Sequence, residues 1–187
     1  LPSTPRHLLL YQALGYGPPR FGHMPMILGP DRAKLSKRHG ATALLEYRKD
    51  GYLPEVMTNF LALLGWSLDD KTEIISRDEL VRHFSLERVG KSPAIFNIEK
   101  LTWMNGVYLR QMPVNDLAER LAHTLEAYVQ QHRPPIKGLP SPEYLRAIVP
   151  LVQERIKRLD PEEVWEMCSF FLEEPREYQG SLVPQGL

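Results

Sequence analysis

Cysteine is almost missing from this chain of 187 residues; Cys168 stands alone. A lone thiol forms no intrachain disulfide and cannot build a cysteine-based zinc site. It fits a reducing compartment, so a cytoplasmic setting is expected. Long apolar runs are absent too. No stretch reaches the roughly 18 residues of a membrane span, so no membrane partner is expected. Net charge is zero, with 23 basic and 23 acidic side chains, and says nothing of a partner. There is no G-x-x-x-x-G-K-[ST] spacing, which removes the P-loop reading. The opening "LPSTPRHLLLY" has neither an initiator methionine nor a signal-peptide layout. It reads as the middle of a longer protein.

The charge that is present is unevenly spread. Residues 1–48 carry seven basic side chains against two acidic ones; from residue 139 onward the ratio is five to nine. A polyanion would meet the front. The densest point is "KLSKRHG", Lys34 to Gly40. Phosphate oxygens need dense, directed positive charge. Lysine supplies a mobile point charge and arginine a planar fork. Ser36 adds a hydroxyl donor. Gly29 and Gly40 would let such a loop move. His39 is either part of a phosphate site or a solvated loop residue.

Helix punctuation is frequent. Ser3 or Thr4 with Pro5 opens a first helix that Gly15 stops. Met24 to Leu28 is too short a run for a helix and reads as a strand entering a turn at Gly29-Pro30. A short helix capped by Thr42 ends at Gly51. "PEVMTNFLALLG" leaves few polar faces and reads as a buried helix. Ser76 and Glu79 form a capping box. Asn97 caps a helix whose apolar side is Ile98, Leu101, Met104, Tyr108 and Leu109. Beyond Pro113, Leu117, Leu121, Leu125 and Tyr128 recur at helical spacing. Residues 132–142 read as a loop. "EYLRAIVPLVQERIKRL" reads as a helix kinked at Pro150. Asp160, Pro161 and Glu163 open the last helix. Trp66, Trp103 and Trp165 read as core, and Cys168 as a small buried apolar residue. The acidic run Glu162, Glu163, Glu166 suits a helix start, not a metal. The class is mainly α, with a small extended element near residue 26.

The order of these words is specific. "KLSKR" resembles the KMSKS signature loop of class I aminoacyl-tRNA synthetases. "STPRHLLLYQALG", "HMPMILGPDRAKLSKRHGAT", "EYRKDGYLPEVMTNFLALLGWS", "LERVGKSPAIFNIEKLTWMNGVYLR" and "FFLEE" resemble, in that order, bacterial-type glutamyl-tRNA synthetase. The resemblance implies a mainly helical stem-contact domain with a small β element beside the loop, residues 1–113. A partial helical anticodon-binding domain follows, 114–187. It implies ATP as substrate, with Mg2+ accompanying it and no metal site in this chain. The other partners implied are L-glutamate and tRNA(Glu), with tRNA(Gln) also open, and the state implied is a monomer. Lys34 and Lys37 would be catalytic. Lys34, Leu35, Ser36, Lys37 and Arg38 would bind ATP, with Leu35 in place of the signature methionine. Arg82, Arg88 and Lys91 would touch tRNA backbone. No HIGH-type motif is present, so the chain is expected to be inactive alone. The alternative reading is a tRNA-binding module without catalysis.

Overall fold

The computed structural model describes residues 3–40, 43–132 and 138–172. Helix α1 (Thr4–Ala13) follows Ser3 with a proline in its first turn, as its sequence predicts, yet the Ser3 side chain makes no cap bond. None of α1 is buried, and Leu9, Leu10 and Leu14 are exposed. The extended element is shorter than expected. Only Ile27–Leu28 forms strand β1. Met24 and Met26 are exposed, so nothing extends the strand toward them. β1 pairs in parallel with β2 (Ala94–Ile95), in register Ile27 to Ala94 and Leu28 to Ile95. No pattern in the sequence announces a two-residue strand whose partner is 67 positions away.

Helices α2 (Leu44–Lys49) and α3 (Pro54–Leu63) meet at Gly51. Thr42, the expected cap of α2, lies outside the described residues. The Ala43 N–H is instead satisfied by the Glu46 carboxylate at 2.9 Å. α3 buries Val56, Met57, Asn59 and Phe60 but leaves Leu61 exposed, so it is amphipathic where full burial was expected. α4 (Arg77–His83) has its capping box as read: the Ser76 N–H meets Glu79 Oε2 at 3.0 Å, and the Glu79 N–H meets Ser76 Oγ. α5 (Ile98–Gln111) is capped by Asn97, whose Oδ1 accepts from the Lys100 N–H. Ile98 is exposed, and so is Trp103, contrary to the core reading.

α6 (Val114–His132) buries Leu117, Leu121 and Leu125 against α7 (Pro142–Val152) and α8 (Pro161–Leu172). The helix read through Pro150 stops two residues after it. Proline lacks the N–H of its turn, and Gln153 has another use. Its side-chain amide donates to the carbonyls of Leu109, Arg110 and Met112, at the C-terminal end of α5. Asp160 Oδ1 caps α8 through the Glu163 N–H. The Glu163 carboxylate does not complete a box, because it pairs with Arg158. Cys168 is fully buried, which pushes its thiol up to about 11.

One core runs through both halves of the chain, from Tyr47 and Phe60 by way of Leu101, Met104 and Leu109 to Leu121, Ile148 and Val164. Burial at roughly 25 cal/mol per Å² of apolar surface drives that assembly. A smaller cluster holds Trp66, Ile75 and Leu80. No helix among the described residues is long and apolar enough to cross a membrane.

Candidate ATP signature loop

Why does "LGPDRAKLSKRHG" fold as a projecting loop? Gly29 and Ala33 close a tight turn, with the Gly29 N–H to Ala33 carbonyl bond at 2.8 Å. Arg32 takes a left-handed conformation at φ 60°. Asp31 folds back on the turn, its Oδ1 accepting from the Ala33 N–H at 2.9 Å, which is the local habit of an Asx residue. The chain then returns beside β1: Lys34 bridges Leu28, and the Leu35 N–H donates to the Ile27 carbonyl at 3.0 Å. Ser36 is extended, and Lys37–His39 make a single 3-10 turn that ends at Gly40 with φ 101°.

Sequence position therefore becomes side-chain direction. Leu35 is half-buried and packs against the main core, so it anchors the loop. Lys34 and Lys37, on either side of it, are exposed. Neither ammonium has a hydrogen-bond or ion-pair partner among the described residues. Arg38 differs, because its Nη2 donates to Asp31 Oδ2 at 2.9 Å. Its guanidinium therefore already has a carboxylate partner. The Ser36 hydroxyl lies 3.3 Å from His39 Nδ1. His39 itself is nearly buried, its side chain 9% exposed, and sequence reasoning left its role open. Asp31 was not singled out at all. Its place at a Gly-Pro turn is visible in the sequence, but its pairing with Arg38 is not. Its carboxyl is held below the usual range, first by the Ala33 N–H and then by His39.

Behind the loop lies a cavity of about 190 Å³ bounded by His39, Gly40, Tyr47, Tyr52, Phe96 and Arg158. It is smaller than the few hundred Å³ of ordinary ligand sites. Among the described residues no group of three His, Cys, Asp or Glu side chains could hold a metal ion.

The residues read as tRNA contacts come from three different segments. Arg82, on α4, and Lys91, in the turn before β2, are exposed. Arg88 is committed elsewhere. Its Nη2 donates to the Ser67 and Leu68 carbonyls at 2.8 and 2.7 Å, and its guanidinium lies 5.3 Å from the Trp66 ring centre.

Residues 1–103 match the family model for the catalytic domain of class I tRNA synthetases of the E and Q type. The chain belongs to that family. Residues 116–185 match an anticodon binding domain. The class I synthetase relatives include the glutamate–tRNA ligase of Dehalococcoides mccartyi strain 195, 52% identical over 188 residues and covering 100% of this chain. That of Aquifex aeolicus is 44% identical over 192 residues. The chain spans 38% and 39% of those two relatives, well under half their length. A solved glutamate tRNA ligase from Elizabethkingia meningosepticum, in complex with its amino acid, superposes with a TM-score of 0.70 at 32% identity. The match covers 95% of this chain and 37% of that one. The mainly helical class and the small β element beside the loop agree with what the resemblance implied.

Proposed function

We propose that this chain is the signature-loop and helical portion of a glutamate–tRNA ligase. In the reaction, the glutamate α-carboxylate attacks the α-phosphorus of ATP, pyrophosphate leaves, and glutamyl-adenylate forms. A ribose hydroxyl of the terminal adenosine of tRNA(Glu) then takes the acyl group and AMP departs. Negative charge grows on the departing phosphates. Lys34 and Lys37 are the groups for that charge, because both project from an anchored loop with no ion-pair partner among the described residues. This is the observation that carries the reading. Ser36 and Arg38 stand beside them as ATP-binding groups, although Arg38 must share its guanidinium with Asp31. Leu35 stands with them and also anchors the loop through its side chain. Mg2+ would arrive on the ATP phosphates, since the loop offers cations and its one carboxylate is engaged.

On the nucleic-acid side, Arg82, Arg88 and Lys91 would meet phosphates, Arg88 while also holding the Ser67 and Leu68 carbonyls. The division falls at Pro113: 1–113 for the catalytic end and stem contact, 114–187 for the anticodon-side helices. The uncovered leucines of α1 support a place within a longer protein, for an exposed apolar face of that kind marks an interaction surface. The protein would act as a monomer in the cytoplasm on tRNA(Glu), with tRNA(Gln) as a second candidate substrate. Glutamate-dependent ATP–pyrophosphate exchange by the full-length protein tests the reading. Its absence, with tRNA binding intact, would leave the non-catalytic module instead.

A further inference from the structure

We infer that His39 is the positioning residue of the signature loop, a clasp that joins the Asp31 turn to Ser36 and so fixes where Lys34 and Lys37 project. This inference rests on the ligase reading.

The geometry is that of a two-sided latch. On one side the Ser36 N–H donates to His39 Nδ1 at 3.1 Å. A neutral ring that accepts there carries its proton on Nε2. On the other side Nε2 faces Asp31 Oδ1 at 3.1 Å. The Arg38 Nε–H lies 3.2 Å from the same Nε2. The ring tautomer decides whether Nε2 donates to Asp31 or accepts from Arg38; in either case the Arg38 Nη2–H is held by Asp31 Oδ2 at 2.9 Å, so Asp31, Arg38 and the ring form one cluster. The ring lies flat on Gly29, where an added Cβ would come within 2.8 Å of it. Gly29 is buried and has no positive φ, so what it provides here is space.

A clasp is needed because the loop is otherwise weakly held. Between the Leu35 anchor and the left-handed Gly40 there is one 3-10 turn and no core side chain. Free to wander, Lys37 would pay ordering entropy each time it met the phosphates. Held by His39, it is placed in advance. His39 touches no substrate in this account and acts through Ser36 and Asp31.

The test uses the full-length protein and its His39→Ala, His39→Asn, Asp31→Ala and Asp31→Ala/His39→Ala forms. The readouts are glutamate-dependent ATP–pyrophosphate exchange and hydrogen exchange of the Ser36 amide. His39→Ala is expected to lower kcat on the order of 10–100-fold, the scale of a small misplacement of a reacting group. The ATP KM and thermal midpoint should move little. Asparagine keeps an acceptor near the Nδ1 position and should restore Ser36 protection and part of kcat. The double variant should be no worse than the poorer single one, because both remove the same clasp. A wild-type rate in His39→Ala, additive losses in the double variant, or no recovery with asparagine would each overturn the clasp. If wild-type protein shows no exchange at all, the ligase reading fails separately. Ser36 protection then decides the clasp: lost with alanine and kept with asparagine supports it, and unchanged protection overturns it.

Discussion

Asn105 is the fully buried polar residue on which the two halves of the core depend, and replacing it should be costly. Its Oδ1 accepts from the Leu53 N–H at 2.9 Å, fixing the start of α3. Its Nδ2 donates to the Lys157 carbonyl at 2.6 Å, fixing the α7–α8 joint. Asn105→Ala strands both partners. A buried group left unsatisfied costs about 1–3 kcal/mol. Leu53 is 3% exposed and pays in full, whereas the Lys157 carbonyl lies nearer to water and pays less. The expected loss is therefore about 2–4 kcal/mol. For a chain of this size that is a fall of roughly 4–16 °C in thermal midpoint. Asn105→Asp sharpens the test. It keeps the acceptor for Leu53 but turns a carboxylate oxygen on the Lys157 carbonyl. Its deficit should shrink as acid protonates the new side chain, which then donates. Thermal unfolding followed by circular dichroism at two pH values would show this. Asn105→Ala within about 0.5 kcal/mol of wild type would refute the bridging role, that being the range of inert surface changes.

Two further outcomes follow from particular contacts. Gly51 has φ 77°, its carbonyl accepts from the Leu159 N–H, and a Cβ there would overlap the backbone of Leu159 and Asp160. Gly51→Ala combines a left-handed alanine with overpacking and should lose about 2–4 kcal/mol in chemical denaturation; a neutral result would mean that the α7–α8 joint does not rest on this turn. Glu79 has its carboxyl lowered from 4.5, chiefly by the Ser76 side chain and then by the Ser76 backbone. A depressed carboxyl contributes stability above its unfolded pKa and loses it as pH falls through the folded value. Ser76→Ala should thus flatten the acid limb of stability below about pH 4.5, and an unchanged limb would contradict the assignment.

Helix starts were legible because caps are local. Ser76, Asn97 and Asp160 each satisfy a backbone N–H within three residues, and sequence spacing alone records that. What failed was decided at a distance. β2 exists because β1 lies beside it. α7 ends at Val152 where one long helix was read, and Gln153 then serves α5. Glu163 fits a capping box by spacing, yet Arg158 competes for it. Trp103 sits among apolar neighbours in sequence but faces outward on α5. The candidate site divides in the same way. Its charge, its anchor Leu35 and its order of residues could be read directly. The pairing of Arg38 with Asp31, and the burial of His39 on Gly29, needed the fold.

On the proposed function, Lys37 serves the phosphates of ATP and is not a general tether for nucleic acid. Lys37→Ala in the full-length protein, assayed for both ATP–pyrophosphate exchange and tRNA affinity, addresses it most directly. Exchange is expected to fall on the order of 100–1,000-fold, the loss typical of one preorganised group stabilising developing charge, while tRNA affinity stays within a few-fold. Equal losses in both, or exchange at the wild-type rate, would contradict it.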